Sequence, residues 1–183
     1  MTPSRYDDEL WELVPEEPGP SPEPLGRFVR SLGRVERALD LGCGDGRLTA
    51  ELDAAELTAA DVSPVALARA ARRLPDARMV ELEPDTELPF DDGSFDLVLC
   101  AETIEHVRDV QLLLSEIRRV LRPGGTLALS TPANLPLGLL PDPLSPHLRF
   151  LSRHSLRRLL DQLGFDVASL RRRSGTLFAL ATR

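Results

Sequence analysis

Residues 38–47 read Ala-Leu-Asp-Leu-Gly-Cys-Gly-Asp-Gly-Arg. An apolar stretch ends in Asp40, glycines follow at 42, 44 and 46, and a short amphipathic stretch with Leu48 and Leu52 comes next. That order predicts a strand, a tight turn and a helix. Glycine is needed where the backbone turns sharply or a ligand presses against the main chain, because a Cβ would clash there. A helix after such a turn aims its free N–H groups back at it and favours an electron-rich group. The run therefore reads as a ligand-binding turn.

The remaining chain alternates strand and helix around this turn. Residues 25–32 read as a helix carrying Leu25, Phe28, Val29 and Leu32. Strand signals fall at Arg37–Leu41, Glu56–Asp61, Arg78–Leu82, Phe95–Cys100 and Thr126–Ser130. Phe95–Cys100 is almost continuously apolar, as a central parallel strand should be. Helices are expected over Arg47–Leu52, Pro64–Arg73, Val110–Leu121 and Ser155–Leu163. Ser63 before Pro64 is a strong start signal, and Gly164 a stop. Phe165–Leu170 and Thr176–Ala181, separated by Arg171–Arg173 and Gly175, read as an antiparallel hairpin on the sheet edge. The expected fold is α/β: a Rossmann-like, doubly wound, mostly parallel seven-stranded sheet with an antiparallel C-terminal hairpin. Residues 25–183 form a single domain. Residues 1–24, with Tyr6, Trp11 and the proline-rich stretch 15–24, are either a loose tail or a flap over the ligand.

Composition narrows the class. Of 183 residues, 42% are hydrophobic and 28% charged, the balance of an ordinary soluble protein, and no apolar run approaches a membrane span. The acidic N-terminus lacks a signal core. Cys43 and Cys100 match neither a zinc spacing nor a disulfide framework, so a reducing cytoplasm is expected. The net charge of −7 argues against broad nucleic-acid binding. Arg149, Arg153, Arg157, Arg158 and Arg171–Arg173 still crowd the C-terminal part, as a solvated face or as a local patch for an anionic substrate. All 22 basic residues are Arg, a bias that fits a GC-rich bacterial genome.

The turn is spaced G-x-G-x-G, not the dinucleotide fingerprint G-x-G-x-x-G. Leu-Asp-Leu-Gly-Cys-Gly-Asp-Gly-Arg resembles the first motif of class I S-adenosylmethionine (SAM)-dependent methyltransferases, methyltransferase type 11-like. The resemblance covers about residues 36–131, with its motifs in order. It implies that Gly42, Cys43, Gly44 and Gly46 cradle the methionine and ribose of SAM, with Asp40 supporting the turn. Asp61, ending the second strand, is placed to accept both ribose hydroxyls; its alternative is a helix-cap acid, a task Ser63 already fills. Val62 would lie along the adenine. Leu88-Pro89-Phe90 through Leu99 resembles the run before the family's fourth strand. The family's adenine-binding Asp falls here on Pro84, so Asp85, with Thr86 beside it, is expected to substitute, with Glu83 as the alternative. Glu102, Glu105 and His106 resemble the family's Glu-x-x-Glu-His segment, and Arg122-Pro123-Gly124-Gly125 its turn before the fifth strand.

The expected activity is methyl transfer from SAM to an O or N atom of a small-molecule acceptor, leaving S-adenosylhomocysteine. The methyl arrives already activated, so the protein must align the acceptor and handle its proton. His106 is the candidate acid–base group, since an ordinary imidazole titrates near neutrality, and Glu105 is its catalytic partner. A helix-start histidine with a packing role is the alternative. Glu102, Glu105 and His106 together suggest a second reading, a metal-assisted O-methyltransferase acting on vicinal hydroxyls of a quinone precursor or a terminal ribose. His147 or His154 would then complete the Mg²⁺ or Mn²⁺ site; this divalent metal is the less favoured reading. Residues 132–150, rich in Pro and Leu, are expected to form a short acceptor lid, with polar contacts from His147 and Arg149. A third reading is a SAM-binding module without catalysis.

Overall fold

The computed structural model describes residues 8–9, 11–13, 15, 19, 21–133 and 147–183. Its helices are α1 (Leu25–Arg30), α2 (Pro64–Arg73), α3 (Val110–Val120) and α4 (Arg153–Gln162). Its strands are β1 (Arg34–Leu41), β2 (Asp53–Asp61), β3 (Arg78–Glu81), β4 (Phe95–Ala101), β5 (Leu121–Pro132), β6 (Asp166–Arg173) and β7 (Thr176–Thr182). They form one seven-stranded sheet in the order β3-β2-β1-β4-β5-β7-β6. Only β7 runs against the others, antiparallel to both β5 and β6. The expected doubly wound sheet with an antiparallel C-terminal hairpin is therefore present.

Alternation along the central strands sends side chains to two covered faces. Leu39, Leu41, Val98, Cys100, Leu127 and Leu129 pack with α3 and α4 on one side. Ala38, Leu97, Leu99 and Ala128 pack with Val29 of α1 on the other. Burial of each large aliphatic side chain contributes about 1.5–3 kcal/mol. The helices start where local chemistry supplies acceptors for their free amides. The side chains of Ser63, Asp109 and Ser152 accept from the backbone N–H of Ala66, Leu112 and Ser155.

Three local expectations are corrected. Residues 47–52 do not form an α-helix; only a 3₁₀ turn, Thr49–Glu51, is present. Asp53 already begins β2, so six residues must close the connection, and the tighter i→i+3 bonds to Leu48 and Thr49 suit so short a span. The helix dipole inferred at the glycine turn is thus missing. Arg122–Gly125 is not a turn before β5 but lies within it, absorbed as an irregularity opposite Phe95–Leu97. Arg171–Arg173 belong to β6, and the hairpin turn is Ser174-Gly175 alone. Both turn residues have positive φ, 49° and 85°, as a two-residue type I′ turn requires.

The topology collects the candidate residues. β2, β1, β4 and β5 are sheet neighbours running in parallel. Their carboxyl ends deliver Asp61, the glycine turn, Glu102–His106 and Ser130–Thr131 to one rim of the sheet.

Candidate active site

The cofactor half is built around two buried carboxylates. Asp40, 2% exposed near the end of β1, accepts a 2.6 Å hydrogen bond from Thr49 Oγ1. That bond ties the strand to the 3₁₀ turn. Burial pushes the Asp40 carboxyl up to about 7, against the lowering effect of Thr49. Asp61 ends β2 and is also buried. Its Oδ2 accepts from the Gly44 N–H at 2.8 Å and its Oδ1 from the Ser63 N–H at 3.0 Å. Burial raises the Asp61 carboxyl while these amides oppose the shift. Gly42 N–H and Cys43 N–H both donate to the Ala60 carbonyl, at 2.8 and 3.0 Å. The turn is fixed to β2 from two directions. The Cys43 thiol is buried among these acids and pushed up, so it stays protonated. Val62, half-buried, follows Asp61.

The glycines make room for protein as well as for a ligand. A Cβ on Gly42, at φ 79°, would stand 2.4 Å from Thr103 Oγ1. A Cβ on Gly44, at φ 54°, would stand 2.6 Å from Trp11 Cζ2. At Gly46 the neighbours are Leu74 and Ala70, beside and within α2. Thr103 was missed by sequence reasoning. Its hydroxyl lies 3.0 Å from the Ala101 carbonyl and 3.2 Å from that of Leu41, so it links the loop after β4 to the end of β1.

The other half of the rim is the loop after β4. Glu102, at φ 53°, accepts from Ser130 Oγ at 2.8 Å, and burial raises its carboxyl. Glu105 is fully buried. Its Oε2 accepts from Thr131 Oγ1 at 2.9 Å, and burial pushes its carboxyl up to about 7. Glu105 Oε1 has no hydrogen-bond partner, the one such buried side-chain atom among the described residues. His106 Nε2 lies 4.0 Å from that oxygen. The His106 ring meets His147 edge-on at 4.9 Å, and His147 meets Phe150 at 5.4 Å. Glu105, His106 and His147 each bring one ligand atom within 4.8 Å of the others. Glu102 stands outside this cluster, and His154 is exposed on α4.

The other predicted residues sit at the rim or beyond it. Asp85, at φ 57°, pairs with Arg108 Nε at 2.8 Å and Nη2 at 2.6 Å. Thr86 Oγ1 bonds the Glu83 carbonyl at 2.9 Å. Arg149, expected in an acceptor pocket, instead donates to the carbonyls of Ile104, Val107 and Arg108, clamping the loop that carries Glu105 and His106. Leu148 N–H adds a 2.7 Å bond to the Glu105 carbonyl. These clamps were missed because Arg149 lies 45 residues from Ile104. The expected lid residues Leu135, Leu137, Leu139, Leu140 and Leu144, and the flap residue Tyr6, lie outside the described residues. Among the described residues no helix is long and apolar enough to cross a membrane.

Residues 39–129 match the family model for a methyltransferase domain. The chain is 38% identical over 136 residues to a probable SAM-dependent methyltransferase of Mycolicibacterium smegmatis, covering 70% of this chain and 51% of that protein. It is 32% identical over 162 residues to an O-methyltransferase of Penicillium expansum, covering 77% and 58%. The chain thus spans about half the length of these curated relatives. A putative methyltransferase from Bacillus halodurans has the same fold at a TM-score of 0.76, with 14% identity and coverage of 88% of this chain and 99% of that one. The chain is also 35% identical over 156 residues to an uncharacterized methyltransferase of Synechocystis, covering 79% of this chain and 72% of that protein. With the family-model match, this shows that the chain belongs to the class I SAM-dependent methyltransferase family.

Proposed function

We propose that this protein transfers the methyl group of SAM to an oxygen or nitrogen atom of a small-molecule acceptor. The observation that carries the reading is Asp61. It is a buried carboxylate at the end of β2, already braced by the amides of Gly44 and Ser63. Each carboxylate oxygen has a second lone pair, so Asp61 can hold the turn and still accept from a ribose diol. Gly42, Cys43 and Gly44 would line the methionine and ribose; Val62, Asp85 and Thr86 would flank the adenine; Glu102 would border the methyl. When bound, SAM supplies an activated methyl on a sulfonium. The protein's own work is to align the acceptor and take its proton. His106, beside Glu105 and edge-on to His147, is the group for that proton. The identity to an O-methyltransferase supports oxygen as one acceptor atom. Two buried free cysteines suit a cytoplasmic setting.

Calorimetric titration of SAM and NAD⁺ tests this reading. Micromolar heats with SAM, none with NAD⁺, and S-adenosylhomocysteine formation with acceptor phenols or amines are the expected results. SAM binding without turnover on any acceptor would favour a non-catalytic binding module. No SAM binding would sink the assignment.

One observation favours a second reading. Glu105 Oε1 is buried without a hydrogen-bond partner and shares a 4.8 Å cluster with His106 and His147. One carboxylate and two imidazoles form a donor set that fits Mn²⁺ or a similar divalent ion. Such an ion would supply Lewis-acid chemistry, lowering the pKa of vicinal acceptor hydroxyls on a quinone precursor or a terminal ribose. This reading predicts a Mn²⁺ heat that disappears in Glu105→Gln. Turnover indifferent to metal chelation would remove it.

A further inference from the structure

The three glycines of the cofactor turn are backed by different parts of the chain. Gly42 rests on Thr103, after β4, and Gly46 on Leu74 and Ala70, both within the sheet's own helical cover. Gly44 rests on Trp11, from the N-terminal segment that precedes α1. The indole atoms Cζ2 and Cη2 lie 2.6 and 2.8 Å from the place a Gly44 Cβ would take. Only glycine lets the indole come so close.

Two further contacts tie the same segment to the same spot. Ser63 Oγ donates to Asp8 Oδ1 at 2.5 Å. The Arg69 guanidinium of α2 lies over the Trp11 ring, 5.9 Å from its centroid. Gly44 and Ser63 both give backbone amides to the Asp61 carboxylate. The segment thus touches two supports of the one carboxylate read as the ribose acceptor. Ser21 holds the chain farther on, through a 2.7 Å bond to the Arg47 carbonyl. Asp8 and Trp11 thus form a strap latched across the Gly44 and Ser63 side of the turn.

We propose that Trp11 is a further cofactor-binding residue, covering the ribose side of the turn and slowing cofactor release. This inference rests on the SAM-binding reading above. A flat, rigid indole excludes water from Asp61 at little conformational cost, and that strengthens hydrogen bonds to the buried carboxylate. The strap must lift for the cofactor to exchange.

Trp11 is the only tryptophan in the chain, so its emission reports the site directly. The wild-type protein is titrated with S-adenosylhomocysteine, by calorimetry and by tryptophan fluorescence in parallel. The emission should change saturably, with the same midpoint as the heats. Trp11→Ala should weaken binding about tenfold, the equivalent of about 1.4 kcal/mol, mainly through a faster dissociation rate. Trp11→Phe should recover most of the loss. Asp8→Asn, which weakens the latch without touching the indole, should speed dissociation less. Circular dichroism checks that each variant keeps the sheet. Wild-type heats with unchanged emission, or a Trp11→Ala protein that binds and releases as the wild type does, would overturn the role of Trp11. Absence of heats in the wild type would overturn the SAM-binding reading itself.

Discussion

The two halves of the candidate site are finished to different degrees. At the cofactor turn, both oxygens of Asp61 are bonded to backbone amides, and Asp40 is bonded to Thr49. Across the rim, Glu105 is as deeply buried, yet one of its oxygens has no partner. In the first half Asp61 is held by main-chain donors, which cannot rotate away, and only Asp40 relies on a side-chain hydroxyl. The second is held mostly by side chains: the Thr131 hydroxyl on Glu105, the Arg149 guanidinium on the loop carbonyls, and the edge-on imidazoles. Backbone amides satisfy both oxygens of Asp61, whereas the buried Glu105 oxygen without a donor leaves polar capacity in reserve.

The most damaging way to break this contrast is at Asp61. Asp61→Ala frees the amides of Gly44 and Ser63 together and removes the proposed ribose acceptor. Unpairing buried groups costs about 1–3 kcal/mol. S-adenosylhomocysteine affinity should fall by at least that much, with a lower melting temperature. Calorimetry giving wild-type affinity would show that the turn is not held through Asp61.

The difference between the halves also explains what was legible in the sequence. Asp40, the glycines and Asp61 lie at strand ends marked by periodicity and spacing, so their place could be read, though not partners such as Thr49 and Thr103. α2 was legible to the residue, because Ser63 and Pro64 state its start in local chemistry. The 3₁₀ turn was not, because the amphipathic look of Leu48 and Leu52 says nothing of the six residues allowed before β2. Glu105 and His106 were visible as a motif. Their real surroundings were not, since Thr131, His147 and Arg149 arrive from distant chain positions through sheet pairing. Arg149 was assigned to the acceptor, but three loop carbonyls claim it.

Glu105→Gln sharpens the comparison. The Glu105 carboxyl sits near 7 in the fold against 4.5 ordinarily, with burial as the main cause and Glu102 adding to it. A carboxyl raised in this way binds its proton more tightly when folded. Its contribution to stability is therefore complete below about pH 4.5 and is lost as pH rises through about 7. Gln has no such proton to lose. Between pH 4.5 and 8 the variant should gain on the wild type by about 2–3 kcal/mol, from about 1.4 kcal/mol per pKa unit. Asp40 carries the same sign of shift but is present in both proteins, so it cancels. Urea melts at the two pH values measure the gain. Parallel stability curves would mean that burial does not raise the Glu105 carboxyl, and the reserve read at its unpartnered oxygen would fail.

The smallest effect is expected at the boundary between the halves. Asp85 was read as the adenine-binding acid, displaced by one residue because Pro84 holds the usual place. In the structure Arg108 donates through Nε and Nη2 to one oxygen of Asp85, Oδ2, and the Asp109 N–H at the start of α3 donates to the other, Oδ1, at 3.4 Å. Arg108 is largely exposed, so the ion pair is screened by water and contributes under about 1 kcal/mol. An adenine amino group would compete for a carboxylate that is already engaged. Asp85→Ala should therefore change S-adenosylhomocysteine affinity by no more than about fivefold. Arg108→Met should tighten binding slightly if Asp85 does reach the adenine, because it frees the acceptor. The pair separates two roles that a single substitution would confuse. Loss of affinity in Asp85→Ala with a gain in Arg108→Met places Asp85 in the cofactor half. Equal, small losses in both place it with the loop that carries His106, as a brace between Pro84 and α3.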